Sequence, residues 1–247
     1  MLFLLLFFVK SRADDTITNS GGWETELKDI VGRHGPCNIE RHDANDLTQK
    51  EFLMRFAHSE PVIIYNVDNE EFRRLTMREK MLEDWKDFPV TLNSANTYSY
   101  TRPQSIATPG NETMYLFGDI DQKLWAPLLA AYKLPKWSLP DHSPALSFGL
   151  AGAGTGVPFH FHGPGFAEVV YGSKRWFLYP YEHRPDFEPD KSTLEWYLIK
   201  YPLLPKEKLP LECLLKPGEI IFFPDKWWHA TLNSETSVFI STFLSPN

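Results

Sequence analysis

Short apolar runs bounded by proline and glycine dominate the second half of the chain. Four of these runs are rich in β-branched and aromatic residues, which is typical of strands. They are residues 168–171, 175–179, 219–223 and 237–243. Between the second and third runs, Ser192 and Glu195 have the spacing of a capping box, which predicts a short helix that ends before Pro202. Many short strands with tight turns predict a barrel or a double-sheet jelly roll.

The first half of the chain mixes helical and strand patterns. Apolar spacing predicts helices over 45–58, 76–87 and 121–133. Short apolar or aromatic runs predict strands over 61–65, 89–92 and 97–100. We therefore expect a mainly β domain of the α+β class, in which an N-terminal α/β region buttresses the jelly roll.

The composition indicates one packed domain. The chain has 247 residues, of which 43% are hydrophobic and 15% aromatic. This is enough to bury a sizeable core, and it excludes a disordered chain. The formal net charge is −7 and no long basic run occurs, which disfavours nucleic acid as a partner.

The N-terminus predicts entry into the secretory pathway. Residues 1–9 are continuously apolar, and Ser11-Arg12-Ala13 offers a small-x-small cleavage site, so residues 1–13 read as a signal peptide. A buried N-terminal strand is the alternative. The apolar run is too short to span a bilayer, and we expect no transmembrane segment in the mature chain. Residues 14–40 read as an N-terminal arm.

Two further features suit that route. Asn111-Glu112-Thr113 is an N-glycosylation acceptor triplet, although such triplets also arise by chance. Cys37 and Cys213 are the only cysteines; they either pair in an oxidising lumen or remain two separate buried thiols. The sequence leaves the endoplasmic reticulum lumen and secretion as alternative destinations.

Three histidines carry the candidate chemistry. His160 and His162 are one residue apart, so an extended strand would place both side chains on one face, and His229 lies on a distal aromatic strand. Three imidazoles suit Fe, Zn, Cu or Ni better than Mg or Ca. The alternative is that they are ordinary core or surface histidines.

Four stretches resemble the JmjC-domain proteins of the cupin superfamily. They are residues 61–64, the segment around His160, residues 172–180 with their Gly-x-Lys-Arg-Trp motif, and residues 217–229 with their Pro-Gly-Glu-x3-Phe-Pro-x3-Trp-His motif. The resemblance covers roughly residues 40–245 and implies a double-stranded β-helix, the cupin jelly roll. We accordingly assign residues 41–247 to a JmjC domain.

The resemblance also implies roles for single residues. Relatives bind Fe(II) and 2-oxoglutarate, and His160 and His229 fall on two of the metal ligands. Lys174 falls on the lysine that pairs with the 2-oxoglutarate carboxylate. Taken alone, Lys174 would read as a solvent-exposed lysine of a hairpin turn. Asn233 matches a cupin position and reads either as a hydrogen-bonding residue around the site or as a turn residue.

The chain departs from the family pattern at two positions. Relatives carry a carboxylate where this chain has His162, and several carry a threonine where it has Val157. Thr155 is nearby but out of register. Glu168 reads either as a fourth ligand or, as we expect, as an exposed strand residue.

Two functions from different classes follow. The first is a binding or regulatory protein with a JmjC fold and a three-histidine metal site, acting on protein partners. The second is an Fe(II)/2-oxoglutarate-dependent protein hydroxylase with a protein substrate. The histidine at position 162 favours the first, and the sequence assigns no catalytic residue.

Overall fold

A computed structural model describes residues 20–23, 35–94, 97–101, 115–118 and 121–247. The predicted signal peptide, most of the predicted N-terminal arm and Asn111 lie outside these residues, so the predictions made for them stay predictions. The strands are β1 Arg41–Asp43, β2 Val62–Tyr65, β3 Val90–Ser94, β4 Thr97–Thr101, β5 Tyr115–Leu116, β6 His142–Ala151, β7 Gly165–Tyr171, β8 Lys174–Tyr179, β9 Leu211–Leu215, β10 Glu219–Phe223, β11 Trp228–Asn233 and β12 Ser237–Pro246. The α-helices are α1 Gln49–Arg55, α2 Glu70–Leu75, α3 Arg78–Trp85, α4 Ala126–Leu129 and α5 Thr193–Ile199.

Two sheets face each other. Among the described residues, nine strands form the large sheet in the order β1-β2-β10-β7-β12-β6-β5-β3-β4, and three form the small sheet in the order β11-β8-β9. Ile63, Ala167 and Ile221 of the large sheet pack against Trp176 and Leu178 of the small one. This double-sheet arrangement confirms the predicted mainly β jelly roll.

Helices cover the outer face of each sheet. Phe52 of α1 packs with Phe166 and Phe222 on the outer face of the large sheet. Further along that face, helices α2 to α4 contribute to a second apolar cluster around Trp125. Trp196 of α5 covers the small sheet. The N-terminal helices thus form the predicted buttress, and both faces of the central strands are buried.

Helix α5 begins as its sequence predicts. The Ser192 side chain accepts a hydrogen bond from the backbone N–H of Glu195 at 3.1 Å. This satisfies one of the free N–H groups that every helix start carries. By contrast, the predicted helix over 121–133 is wrong for most of its length, because only Ala126–Leu129 is helical and turns flank it.

A disulfide joins the segment before β1 to the small sheet. Of the two alternatives for the cysteines, the structure has the bond between Cys37 and Cys213, which are 176 residues apart in sequence. The neighbouring Asn38 reinforces it: its backbone N–H donates to the Glu212 carbonyl at 3.1 Å, and its Oδ1 accepts from the Glu212 N–H at 2.6 Å. Residues 35–38 are therefore fixed along strand β9.

Candidate metal centre

The segment that carries His160 runs antiparallel along strand β11. His160 and His229 exchange two backbone hydrogen bonds, of 3.1 and 2.8 Å, and Thr231 donates to the Val157 carbonyl at 3.0 Å. Gly156 permits this close approach, since a Cβ atom there would lie 1.8 Å from the Thr231 carbonyl oxygen. The glycine therefore lets the two ligand-bearing segments pair.

His160 and His162 do not lie on one regular strand as the sequence predicted. Of the two, only His160 pairs with β11. His162 lies in the loop that follows, and its backbone carbonyl accepts a hydrogen bond from the Lys226 N–H at 2.9 Å. Gly163-Pro164-Gly165 comes directly after this loop and prevents the strand from continuing. Both imidazoles nevertheless turn towards His229.

The three imidazoles converge on one point. One ring nitrogen from each of His160, His162 and His229 lies within 4.8 Å of the other two. The Nε2 atoms of His162 and His229 are 3.2 Å apart. The ring centroids of His160 and His229 are 4.3 Å apart.

Backbone carbonyls fix the orientation of all three rings. The Nδ1 atoms of His160, His162 and His229 lie 2.8 Å from the carbonyl oxygens of Pro158, Gly163 and Trp227, respectively. A carbonyl only accepts, so each Nδ1 carries the proton, and in the neutral ring each Nε2 is left as an unprotonated acceptor.

Burial keeps these rings neutral. It lowers the pKa of His160 to about 4, lowers that of His162, and takes that of His229 well below the usual range. Two unprotonated nitrogens at 3.2 Å repel each other unless a cation lies between them. The donor set therefore fits a divalent metal held by three imidazoles, with a carbonyl orienting each ring from behind.

The histidines line a cavity between the two sheets. It offers about 310 Å³ of space free of protein atoms, part of it open to solvent. The residues that line it are Phe117, Val157, His160, His162, Lys174, Trp176, Phe223, His229, Thr231, Ser241 and Phe243. Sequence reasoning missed Trp176 and Thr231, although each lies two positions after a predicted site residue on the same strand and so shares its face.

Lys174 is buried in this cavity, so the solvent-exposed alternative is wrong. The residue is only 3% exposed, and its Nζ lies 3.2 Å from the centre of the Phe239 ring. We find no hydrogen bond or ion pair to Nζ within the described residues, and burial lowers the Lys174 pKa well below its usual range. An ammonium in this position fits a ligand carboxylate.

The Asn233 side chain supports the segment that carries the first histidine. Its Nδ2 donates to the Thr155 carbonyl at 3.0 Å and to the Thr155 hydroxyl at 3.1 Å. Asn233 is not among the residues that line the cavity. Thr155, which is out of register with the family's threonine, thus accepts hydrogen bonds from Asn233.

Both expectations for Glu168 are wrong. The residue is 1% exposed, and its Oε2 accepts a hydrogen bond from Asn69 at 2.8 Å. Side chains alternate along β7, so Ala167 and Val169 face the small sheet while Glu168 faces the helices. Burial raises the Glu168 pKa to about 7, against the hydrogen bonds from Tyr132 and Asn69 that lower it. Glu168 is absent from the histidine cluster.

The facing sheets and the site between them define a JmjC-type jelly roll of the cupin class. The ribosomal oxygenase YcfD of Escherichia coli, solved with cobalt and 2-oxoglutarate, superimposes with a TM-score of 0.52 at 18% identity, covering 82% of this chain and 53% of that one. A second YcfD structure gives 0.53 at 19% identity. This chain spans about half the length of YcfD, and the likeness shows the fold alone.

The sequence relatives are much closer. JmjC domain-containing protein 8 of Homo sapiens is 47% identical over 239 residues, which cover 91% of this chain and 90% of the human protein. The Mus musculus protein of the same name is 46% identical over 262 residues, covering 98% and 97%. No family model matches the chain. The chain belongs to the family of JmjC domain-containing protein 8.

Proposed function

We propose that the chain is a binding or regulatory protein of the endoplasmic reticulum lumen that holds a divalent metal on His160, His162 and His229. The observation that carries the metal site is the convergence of one ring nitrogen from each histidine within 4.8 Å. The Nε2 atoms of His162 and His229 are 3.2 Å apart, and every Nδ1 faces a backbone carbonyl. The regulatory role rests on position 162, where a neutral imidazole replaces the carboxylate of the oxygenases that the chain resembles.

The surrounding residues would receive a small carboxylate beside the metal. A bound divalent metal supplies a Lewis acid with open positions for a ligand. The Lys174 ammonium binds and orients a carboxylate such as that of 2-oxoglutarate, and the walls of Trp176 and Phe223 exclude water. Thr231 offers a hydroxyl to the cavity, whereas Val157 offers only a methyl surface.

One observation favours the second candidate, an Fe(II)/2-oxoglutarate-dependent protein hydroxylase. No carboxylate of the described residues pairs with the buried Lys174, and burial of its charged form is costly to the fold, so a ligand that it binds is the simplest explanation for this lysine. The position of this lysine beside the histidines supports use of an anionic co-substrate.

The disulfide supports the proposed location. A bond between Cys37 and Cys213 persists in an oxidising compartment, which agrees with the apolar N-terminal run.

Protection of the chain from protease in intact microsomes tests this proposal. A shift in mobility on deglycosylation, absent in Asn111→Gln, tests the glycosylation site. A chain that protease degrades without detergent contradicts the lumenal location.

The metal site is tested by metal analysis of purified protein. We expect one divalent ion per chain in the wild type and in His183→Ala, which removes an exposed histidine away from the cavity. His160→Ala and His229→Ala should lose it. Equal metal content in all four proteins contradicts the site.

The role is tested with the Fe(II)-loaded protein and 2-oxoglutarate under oxygen. Succinate formation above that of His160→Ala favours the hydroxylase. No succinate from the wild type, together with saturable 2-oxoglutarate binding, favours the binding role. His162→Asp restores the family's carboxylate, and turnover in this variant alone would assign the loss of oxygenase activity to position 162.

A further inference from the structure

We infer that the metal at this centre is zinc, bound by His160, His162, His229 and one exogenous anion, rather than the six-coordinate iron that the JmjC resemblance implies. This inference rests on the proposed metal site and goes beyond it by naming the metal, the coordination number and the class of the fourth ligand. Four features of the site carry it.

The first feature is the donor set. All three ligands are neutral imidazoles, and within the part of the chain that the structure describes no aspartate or glutamate joins the cluster. Glu168, the nearest acidic residue after His162 in sequence, faces the helices on the other side of the large sheet. Three histidines with one open position are a zinc donor set, whereas the iron oxygenase triad includes a carboxylate.

The second feature is the spacing of the donors. The 3.2 Å between the Nε2 atoms of His162 and His229 suits two ligands that share one ion at the Zn–N distance of about 2.0–2.1 Å. The carbonyls behind Nδ1 hold the rings in this orientation without a metal. The rings of His162 and His229 therefore need little rearrangement when the ion binds.

The third feature is the apolar wall around His162. Its ring lies 5.4 Å from Phe223 and 5.1 Å from Phe243, centre to centre, with Val157 and Trp176 also lining the cavity. A six-coordinate ion needs three ligands beyond the histidines. Among the described residues, the lining offers oxygen ligands only in the hydroxyls of Thr231 and Ser241, and the Thr231 hydroxyl already accepts from the Val157 N–H at 3.2 Å. A low coordination number fits these surroundings better.

The fourth feature is charge. The divalent ion and the buried Lys174 would share one cavity, and no acidic side chain of the described residues lines it. A divalent charge in a buried cavity without a protein anion is unfavourable, so we expect an exogenous anion to complete the site, and its binding would favour the protonated form of Lys174. Lys174 favours a small anion, a hydroxide or a carboxylate, as the fourth ligand.

Cobalt(II) substitution tests the coordination number without relying on activity. Four-coordinate Co(II) absorbs visible light many times more strongly than six-coordinate Co(II). We expect the strong absorption in the wild type and in His183→Ala, and we expect acetate to shift the band. His162→Asp should give the weaker spectrum, because a carboxylate draws further oxygen ligands into the coordination sphere.

Anaerobic competition between Zn(II) and Fe(II) tests the choice of metal. Zinc binds most nitrogen sites more tightly than iron, so the informative quantity is the ratio of the two affinities in wild type relative to His162→Asp. We expect this ratio to be at least about tenfold higher in the wild type. A weak six-coordinate spectrum or an unchanged ratio overturns the zinc assignment and leaves the metal site standing. Failure of the wild type to bind any metal overturns the site itself.

Discussion

The buried carboxyl group of Glu168 makes the stability of the fold depend on pH. Its pKa is raised from 4.5 to about 7, chiefly by burial, so the folded state favours the protonated form. A carboxyl whose pKa is higher in the folded chain than in the unfolded one stabilises the fold most below the unfolded pKa. That stability is lost as the pH rises through the folded pKa, here between about pH 4.5 and 7.

We predict that Glu168→Gln removes this loss. The amide keeps the hydrogen bond from Asn69 but cannot ionise, so the variant and the wild type should differ little at pH 5. At pH 8 the variant should be the more stable by roughly 3 kcal/mol, which corresponds to the shift in pKa. Urea unfolding at both pH values measures this. The exposed Glu182→Gln is the control, and parallel pH profiles for wild type and Glu168→Gln would contradict the prediction.

We expect Lys174 to lower the stability of the ligand-free protein and to be needed for 2-oxoglutarate binding. An ammonium buried against the Phe239 ring, with no ion-pair partner among the residues that the structure describes, costs free energy of folding. We predict that Lys174→Met raises the free energy of unfolding of the ligand-free protein by at least about 1 kcal/mol, since methionine fills the space without a charge. The same variant should lose 2-oxoglutarate binding. Calorimetric titration and urea unfolding measure the two effects, and a destabilised variant would show that the ammonium has a partner in the free protein.

At the level of elements, the sequence identified strands that carry a clear apolar pattern. Strand β10 was predicted with its observed bounds, Glu219–Phe223, and the N-cap of α5 was predicted as Ser192. The sequence placed His229 on a strand but gave that strand no bounds, and the structure shows it to be β11. Its polar and aromatic residues lack an apolar run, and its pairing with β8 is a tertiary contact that single-sequence patterns do not contain.

The same limit explains the errors at the site. The sequence shows that Glu168 lies within a strand, but not that helices cover the outer face of that strand. It also identified the three histidines, because residue type and spacing reflect metal chemistry directly. The burial of Lys174 and the exposure of the Thr231 hydroxyl to the cavity depend on how the two sheets face each other, which only the folded chain shows.

Gly156 tests the pairing between the ligand-bearing segments. A methyl group at this position would meet the Thr231 carbonyl at 1.8 Å, which only a backbone shift can relieve. We predict that Gly156→Ala moves His160 away from strand β11, lowering metal affinity at least tenfold and the free energy of unfolding by roughly 2–4 kcal/mol. The glycine at 152 has open space around it, so Gly152→Ala is the matched control. Equal metal affinity in the two variants would contradict the prediction.

At the scale of the whole molecule, the metal centre lies where the two sheets meet. Lys174 and His229 come from the small sheet, whereas Phe223 and Ser241 come from the large one. Within the described residues, no helix is long and apolar enough to cross a membrane.

We predict that removing the metal lowers the stability of the whole domain. An ion that binds only the folded chain adds about 2.7 kcal/mol at a free concentration one hundred times its Kd. Chelation should therefore lower the melting temperature by several degrees, and added Zn(II) should restore it. His229→Ala should melt at the same temperature with and without chelator. An unchanged melting temperature of the wild type after verified metal loss would contradict this coupling.

The disulfide offers a second test at this scale. Joining Cys37 to Cys213 closes a loop of 176 residues, and a loop of this size corresponds to about 5 kcal/mol in the chain-entropy model. We predict that Cys37→Ser with Cys213→Ser lowers the free energy of unfolding by roughly 2–5 kcal/mol. The double variant avoids a lone thiol. Equal stability of the double variant and the oxidised wild type would contradict the prediction.

The same bond also sets an order of events during biosynthesis. Cys37 leaves the ribosome long before its partner, since 176 residues separate the two. At about 5–20 residues per second, synthesis of that stretch takes roughly 10–35 s. Throughout this time Cys37 is an unpaired thiol, open to mixed disulfides with thiol–disulfide oxidoreductases or with other nascent chains. The arrival of strand β9 ends that exposure, so the closing of this bond marks a chain that has been synthesised at least as far as Cys213.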